Sequence, residues 1–256
     1  MSDRIIGLHS WLQTPAGRYL LDWERARVDA SVVDIFGYHA LQLGVPEMDG
    51  LKTNRMPHQW LATDQLQVGA EMAVQQPALL CDYSSLPFPA SSLDLVLLPH
   101  TLEFSADPHA TLREVERVLV PEGRVVICGL NPVSLWGLQQ RRGDLYRKIG
   151  FDHAFLPQAG EFIGYWRLRD WLRLLGFEVE FGEFGCYRPG FASEKWLRRM
   201  EWMDWAGPRW WPIFGAAYFL VAVKRVRGVR LMGAAWKTVP ASARNSVSVA
   251  NRSHDH

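Results

Sequence analysis

Short, mostly apolar runs alternate with amphipathic or turn-rich segments through the first half of the chain, and this alternation constrains the fold most. The runs predict strands at His39–Gly44, His58–Thr63, Pro77–Asp82, Leu93–Leu98 and Arg124–Gly129. Runs that are apolar throughout are typical of parallel sheets covered by helices on both faces. The pattern therefore predicts an α/β protein with a doubly wound, mostly parallel sheet.

Helix signals fall between and around these strands. Thr14-Pro15, a cap residue followed by proline, predicts a helix that extends to about Phe36. A weak helix is expected over 65–76, and an amphipathic helix starts at Asp107-Pro108. Residues 167–180 predict a helix, a glycine cap and a strand. In such sheets ligands bind beyond the carboxyl ends of the strands, so the residues after each strand are the candidates for a site.

The chain divides into three parts on this pattern. Residues 1–36 form an N-terminal helical segment, and residues 37–226 form the α/β domain. A Trp-rich helical insertion occupies 190–213, before a last strand at Ala216–Val223 near the sheet edge. Residues 227–256 are rich in Gly, Ala, Ser, Arg and Asn without periodicity, which predicts a disordered tail.

Charge and cysteine content argue against several classes of protein. The 28 Lys and Arg against 27 Asp and Glu give a formal net charge of +1, which argues against a protein that coats nucleic acid. Because the cysteines form no CxxC pair, neither a disulfide framework nor a zinc site is predicted. No metal is predicted at the histidines either, because they lack spaced acidic or cysteine partners: His9, His58, His109 and His153.

The apolar runs also bear on location. The start of the chain lacks the apolar core of a signal peptide, and the longest apolar run, 213–223, is too short to span a bilayer as a helix. A soluble cytoplasmic protein without a transmembrane segment is the expectation, and peripheral membrane contact stays open.

Three segments together resemble one family. Asp82–Val96 (DYSSLPFPASSLDLV) resembles the D-x-x-x-LPF-x-x-x-S-F-D-x-V segment of the type 11 group of class I S-adenosylmethionine-dependent methyltransferases. His100–Phe104 (HTLEF) resembles the H-x-LEH that follows their fourth strand. Glu114–Ile127 (EVERVLVPEGRVVI) resembles their E-x-x-RVLKPGG-x-hhh passage. The match is dense over 77–131 and follows element order alone over 40–225.

The resemblance implies a seven-stranded Rossmann-like methyltransferase fold and S-adenosylmethionine as cofactor. Gly44 would let the backbone approach the methionine part of the cofactor without a Cβ clash. Asp64 would accept the ribose hydroxyls, and Asp82 the adenine amino group, with the Tyr83 backbone amide near a ring nitrogen. The sequence shows no dedicated protein nucleophile, and positioning would supply most of the catalysis.

The remaining candidate site residues are Gln42, Pro99 and His100, at the ends of the first and fourth strands. Gln42 stands where related enzymes carry an acidic residue before a D-x-G-x-G-x-G loop, of which one glycine survives. His100 is a candidate general base, although packing or hydrogen bonding is the commoner role of such a histidine. An alternative register would place the glycine motif at Asp34–Gly37.

The leading hypothesis is methyl transfer to an unidentified acceptor, which we expect to be a small molecule or lipid-like. Erosion of the glycine loop keeps a second hypothesis open: a catalytically inactive binding or regulatory protein with this fold. Nucleic-acid modification is a third and weaker one, suggested by the mildly basic tail.

Tryptophan is abundant, with 12 residues, and five lie in the insertion: Trp196, Trp202, Trp205, Trp210 and Trp211. The helical spacing from Trp196 through Met200 to Met203 predicts core packing under a lid. A substrate cage and a membrane-facing wedge are the alternatives. Trp23 and Trp60 are expected in the sheet-and-helix core.

Overall fold

The computed structural model describes residues 8–64, 77–148, 162–190 and 193–225, with the backbone alone over 142–148. The chain divides into two units, Met1–Val226 and Arg227–His256, and the described residues belong to the first. The predicted tail at 227–256 and the predicted weak helix at 65–76 lie outside the described residues.

A seven-stranded sheet forms the centre of the fold, with the order β3-β2-β1-β4-β5-β7-β6. Strands β1 to β5 run parallel, and β7 lies antiparallel between β5 and β6. This confirms the predicted fold class. The strands are β1 His39–Leu43, β2 His58–Thr63, β3 Leu79–Leu80, β4 Leu93–Pro99, β5 Leu119–Leu130, β6 Phe177–Gly185 and β7 Ala217–Lys224.

Helices fill the connections between strands. The α-helices are α1 Pro15–Val32, α2 Thr101–Phe104, α3 Pro108–Val118, α4 Leu135–Lys148, α5 Tyr165–Leu174, α6 Glu194–Arg199 and α7 Trp202–Trp210. Two short 3₁₀ turns, Pro46–Met48 and Pro212–Phe214, lie between β1 and β2 and before β7. The β1–β2 connection is short and holds a single turn of helix.

Hydrophobic clusters cover both faces of the sheet. In β4, Leu95 and Leu97 join the cluster under α1, whereas Val96 and Leu98 join the cluster under α3 and α5. Because successive side chains of a strand point to opposite faces, a strand covered on both sides has no polar face. The uniformly apolar runs of the sequence have this cause.

Three elements differ clearly from their predicted bounds. Strand β5 starts at Leu119, five residues before the predicted Arg124. Helix α1 starts as predicted, with Thr14 Oγ1 accepting from the Gly17 amide at 3.1 Å, but it ends at Val32 and not near Phe36. The third strand is two residues long, Leu79–Leu80, where six were predicted. It lies at the edge of the sheet and pairs with β2 alone. Its length is therefore the length of that single pairing, Leu79 and Leu80.

Candidate functional site

Five of the seven predicted site residues come together beyond the carboxyl ends of β1, β2 and β4. They surround a cavity of about 30 Å³, which we call the switch-point cavity because the strand order reverses between β1 and β4. Its lining is Leu8, Gly44, Val45, Thr63, Asp64, Tyr83, Pro99, His100, Thr101 and Phe104. Gln42 and Asp82 are not among these lining residues.

The loop after β1 is built around a glycine in the left-handed region. Gly44 has φ +77°, and its amide donates to the Ala62 carbonyl at 2.8 Å. A Cβ at this position would lie 3.2 Å from the Tyr83 hydroxyl oxygen. Glycine is therefore required both by the backbone conformation and by the close approach of Tyr83.

Gln42 holds this loop in place through three hydrogen bonds. Its buried Nε2 donates to the carbonyls of Gly44 at 3.1 Å and Val45 at 2.8 Å, and its Oε1 accepts from the Gly50 amide at 2.9 Å. An ionised carboxylate has no donor and would face two carbonyl oxygens here. The departure from the family's acidic residue is thus matched by a loop whose hydrogen bonds need an amide.

Asp64 and Tyr83 form a pair at the end of β2. The Tyr83 hydroxyl accepts from the Asp64 amide at 3.2 Å and donates to Asp64 Oδ1 at 3.5 Å. Burial raises the pKa of Asp64, and burial together with the Asp64 charge raises the pKa of Tyr83. The Tyr83 side chain therefore lies between Gly44 and Asp64, inside the space that both border.

Asp82 stands in a different environment. Its carboxylate is exposed and accepts hydrogen bonds from the amide and the hydroxyl of Ser84, both at 2.8 Å. These two bonds lower its pKa. The geometry is that of an Asx turn, in which an aspartate stabilises its own loop.

His100 is 2% exposed and lies between two buried carboxylates. Its Nε2 lies 2.9 Å from Glu24 Oε1, and its Nδ1 lies 3.0 Å from Glu103 Oε2. Burial alone would lower the pKa of His100, but the two carboxylates outweigh it and raise the pKa to about 10. Both ring nitrogens thus face carboxylates, an arrangement that favours the protonated imidazole, and general-base catalysis by His100 stays a prediction. We call Glu24, His100 and Glu103 the buried charge cluster.

Sequence reasoning missed both glutamates of this cluster. Glu24 lies on the buried face of α1, between Leu20 and Val28, so an acidic residue in an apolar helical stripe was the available signal. Glu103 belongs to the HTLEF segment that carries the family resemblance. Its Oε1 also accepts from the Leu130 amide, which links the cluster to the end of β5.

A larger cavity of about 420 Å³ opens at the same edge of the sheet, beyond β5, β6 and the start of β7. We call it the apolar cavity. It is lined by Pro132, Val133, Ser134, Leu135, Leu138, Arg141, Tyr187, Met203, Trp211 and Phe214. Asn131 ties its walls together, because its Nδ2 donates to the carbonyls of Ile213 at 2.8 Å and Gly215 at 2.9 Å.

The predicted core packing of the insertion tryptophans is wrong. Trp196, Trp202, Trp205 and Trp210 are 51%, 57%, 80% and 72% exposed. Helix α7 turns its small residues inward: Gly207 lies so close to the Tyr187 ring that a Cβ would approach the ring to 2.2 Å. By contrast, Trp23 and Trp60 pack against the two core clusters as predicted.

The described residues offer neither a membrane-spanning helix nor a metal-binding cluster. None of their helices is long and apolar enough to cross a membrane. Within the same part of the chain, no group of three or more His, Cys, Asp or Glu side chains could hold a metal ion.

Comparisons with known proteins agree with this fold. A family model described as a methyltransferase domain matches residues 54–127. A solved S-adenosylmethionine-dependent methyltransferase of Thermotoga maritima is similar over 85% of this chain and 94% of its own, with a TM-score of 0.56 and 16% identity. One from Archaeoglobus fulgidus is similar over 80% and 94%, with a TM-score of 0.54 and 19% identity.

The chain therefore has the fold of S-adenosylmethionine-dependent methyltransferases, and residues 54–127 match their methyltransferase domain, which implies S-adenosylmethionine as the cofactor. Among individual proteins it is similar to the uncharacterized protein YafS of Escherichia coli, with 32% identity over 68% of this chain and 67% of that protein. It is also 29% identical to the ubiquinone/menaquinone biosynthesis C-methyltransferase UbiE of Paraburkholderia phymatum. That match covers 37% of this chain and 40% of UbiE.

Proposed function

We propose that this methyltransferase binds S-adenosylmethionine at the switch-point cavity and methylates an apolar, lipid-like acceptor held in the apolar cavity. The observation that carries the proposal is the pairing of two unlike cavities at one sheet edge. The lining of the first contains the residues that carry the family resemblance, whereas among the described residues that line the second, Arg141 is the charged one.

The donor set of the first cavity fits the cofactor. Gly44 offers backbone without a Cβ, and Asp64 offers a half-buried carboxylate for the ribose hydroxyls. Gln42 would act by holding the loop, and Pro99 and His100 by forming the wall. S-adenosylmethionine supplies an electrophilic methyl group, so the protein need only orient the two molecules and exclude water.

The volume of this cavity sets one condition. Ligand pockets typically measure about 300–1,000 Å³, roughly ten to thirty times the 30 Å³ found here. The Tyr83 side chain fills the space beside Gly44 and Asp64, so we propose that it moves aside on cofactor binding. The role of Asp82 toward adenine stays a prediction, since its exposed carboxylate already bonds to Ser84.

The two cavities lie beyond the ends of neighbouring strands, an arrangement that transfer between them requires. His100 and Thr101 follow β4, and Pro132 to Leu138 follow β5, its parallel neighbour. Neighbouring strands lie about 4.8 Å apart. The Leu130 amide bonds directly to Glu103, which joins the two regions.

The acceptor class is supported by chemistry and by one relative. A cavity lined by Val133, Leu135, Leu138 and Phe214 favours an apolar ligand, and Arg141 could bind a polar or anionic end. The relative UbiE is named as a C-methyltransferase of quinone biosynthesis, although the chain matches only 40% of that protein. A cytoplasmic location belongs to the same proposal and is supported by three free cysteines.

A non-catalytic binding protein is the second candidate, and the 30 Å³ volume of the switch-point cavity favours it. Formation of S-adenosylhomocysteine distinguishes the two. We expect S-adenosylhomocysteine to form when an organic-solvent lipid extract of cells is the acceptor source. We expect none with the water-soluble fraction of the same cells. Cofactor binding without product from any fraction would establish the non-catalytic alternative.

A variant of the apolar cavity tests where the acceptor lies. We expect Leu138→Gln to lower product formation about tenfold, because the buried part of the acceptor would then meet an amide. The cofactor dissociation constant, measured by calorimetry, should stay within about twofold. Leu174→Gln on α5, which is exposed and outside the cavity lining, is the matched control. Equal losses in both variants would contradict the assignment.

A further inference from the structure

Helix α7 points an acidic side chain inward and exposes large aromatic ones, the reverse of an ordinary surface helix. Its acidic residue Asp204 faces inward, where its Oδ2 accepts from Arg188 Nε at 2.7 Å and its Oδ1 accepts from the Tyr187 amide at 3.2 Å. The Tyr19 hydroxyl of α1 also donates to Asp204. These bonds fix the rotation of the helix about its own axis. Its tryptophans are therefore held on the solvent-exposed side.

The outward stripe of α7 consists of Trp202, Trp205 and Arg209, at helical spacings of three and four residues. Both indoles are more than half exposed. The exposed surface continues through Trp210, the last residue of α7, and through Ile213 and Phe214 in the 3₁₀ turn that follows. An ordinary surface helix buries this kind of face, so the stripe is suited to an apolar or interfacial environment.

The apolar cavity joins this surface to α4. Phe214, Met203 and Trp211 line it from one side, and Leu135 and Leu138 from the other. Leu135 and Leu138 are themselves exposed. The exposed aromatic surface and the mouth of the cavity are therefore continuous. We call them together the tryptophan face.

Exposed cations outnumber exposed anions on the helices that carry this face. Exposed basic side chains lie on α4, α6 and α7: Arg141, Lys195, Arg198, Arg199 and Arg209. Exposed acidic residues on the insertion are fewer, Glu194 and Glu201, and Asp204 is paired inward with Arg188. Such a cationic rim complements anionic phosphate groups.

We propose that the tryptophan face docks on an anionic lipid membrane and presents the apolar cavity to the bilayer surface. Indole rings favour the headgroup region, where an apolar body and a polar N–H are both satisfied. The arginines bind lipid phosphates at the same level. This inference rests on the proposed lipid-like acceptor, which would enter the cavity from the bilayer without crossing water.

Charge argues against a second copy of the chain as the occupant. A two-fold symmetric dimer would bring the same face of both copies together and place the cationic rims against each other. Like charges in an interface oppose association, whereas anionic lipids remove that repulsion. The membrane is therefore the occupant that both the indoles and the arginines fit.

Vesicle co-sedimentation of the full-length protein tests the inference. We expect binding to vesicles that contain phosphatidylglycerol in phosphatidylcholine, and weaker binding to pure phosphatidylcholine. Trp202→Ala combined with Trp205→Ala should weaken binding at least ~10-fold. Trp166→Ala on α5 removes an indole of similar exposure, 59%, outside the tryptophan face and should change it less than ~2-fold. Arg198→Gln with Arg199→Gln should remove most of the dependence on anionic lipid and salt.

The outcomes separate this inference from the proposed function. Because the substituted tryptophans are exposed, the variants should keep the wild-type melting temperature and cofactor dissociation constant. They should also still methylate a detergent-dispersed lipid extract. Absence of wild-type binding to any vesicle, or equal losses with Trp166→Ala, would overturn the membrane assignment. A concentration-dependent dimer that the Trp202/Trp205 variant abolishes, without vesicle binding, would assign the face to a second copy instead.

Discussion

Two cavities at one sheet edge differ in nearly every physical respect. The switch-point cavity is small and lies beside buried charges and polar hydrogen bonds, whereas the apolar cavity is large and open. The first is built from strand ends and the residues directly after them. The second is built from segments far apart in sequence: the loop after β5, the end of β6 and the tryptophan-rich helices. The difference teaches that the proposed cofactor site is made mainly by the sheet, whereas the proposed acceptor site is made by loops and helices.

The buried charge cluster gives the largest expected effect. Removing His100 in a His100→Ala variant leaves Glu24 and Glu103 buried without their cation, which costs about 3–5 kcal/mol of the free energy of unfolding. Leu138→Ala in the open apolar cavity should cost less than about 1 kcal/mol, because that side chain is already exposed. Urea denaturation followed by circular dichroism measures both. Similar losses in the two variants would abolish the contrast between the cavities.

The same cluster predicts a dependence of stability on pH. The pKa of His100 is raised from 6.5 to about 10, so folding favours the protonated imidazole. Its contribution is complete below the unfolded value of 6.5 and is lost as the pH rises toward about 10. We therefore expect wild-type stability to fall across this interval. Glu24→Gln removes one of the carboxylates that raise the pKa of His100, so the fall should end at a lower pH and be smaller than in the wild type. An unchanged profile would contradict the pairing.

The next prediction compares two aspartates of the cofactor region. Asp64→Asn should weaken S-adenosylmethionine binding roughly 10- to 100-fold, because a charged hydrogen bond contributes about 1.5–3 kcal/mol. Asp82→Asn removes an exposed carboxylate and should weaken it less than about tenfold. Calorimetry at neutral pH measures both constants. A larger loss at Asp82 would restore the adenine contact expected from the sequence and reverse this ranking.

The pH dependence of cofactor affinity tests the role of the Asp64 carboxylate independently. Because burial raises its pKa above the ordinary 3.8, wild-type affinity should fall on acidification at a pH above that value. The Asp64→Asn variant should lack this step. Persistence of the step in the variant would assign it to another group.

The strand and helix pattern was predictable because it depends on local sequence. Strand β2 has the predicted bounds, His58–Thr63, and α1 begins at the predicted cap. Gly44, Asp64 and Tyr83 could be selected because residues that follow parallel strands meet at one edge. What strand position could not reveal is that the Tyr83 ring would lie between the other two.

Other features depend on which way a helix is turned. Spacing identified the tryptophan-rich segment as helical, but spacing alone does not say which face is buried. The buried side is decided by Asp204, through its bonds to Arg188 and Tyr187, and by Gly207 against the Tyr187 ring. Glu24 was missed for the same reason, since its partner His100 lies on a distant part of the chain.

The smallest expected effect concerns the closure of the switch-point cavity. Tyr83→Phe removes the hydroxyl that bonds to Asp64 and should lower the free energy of unfolding by about 0.5–1.5 kcal/mol. The same change should tighten cofactor binding about three- to tenfold, because the ring moves aside without breaking that bond. Calorimetry measures the cofactor dissociation constant, and urea denaturation of the same preparation measures the free energy of unfolding.

Tyr187→Phe is the matched control in the other region. Its hydroxyl donates to the Pro212 carbonyl at 2.8 Å, so a similar loss of stability is expected. Its cofactor affinity should not change, because Tyr187 borders the apolar cavity. If Tyr83→Phe instead binds the cofactor more weakly than wild type, the hydroxyl contacts the cofactor. Tyr83 would then belong to the bound site and would not be the residue that closes it.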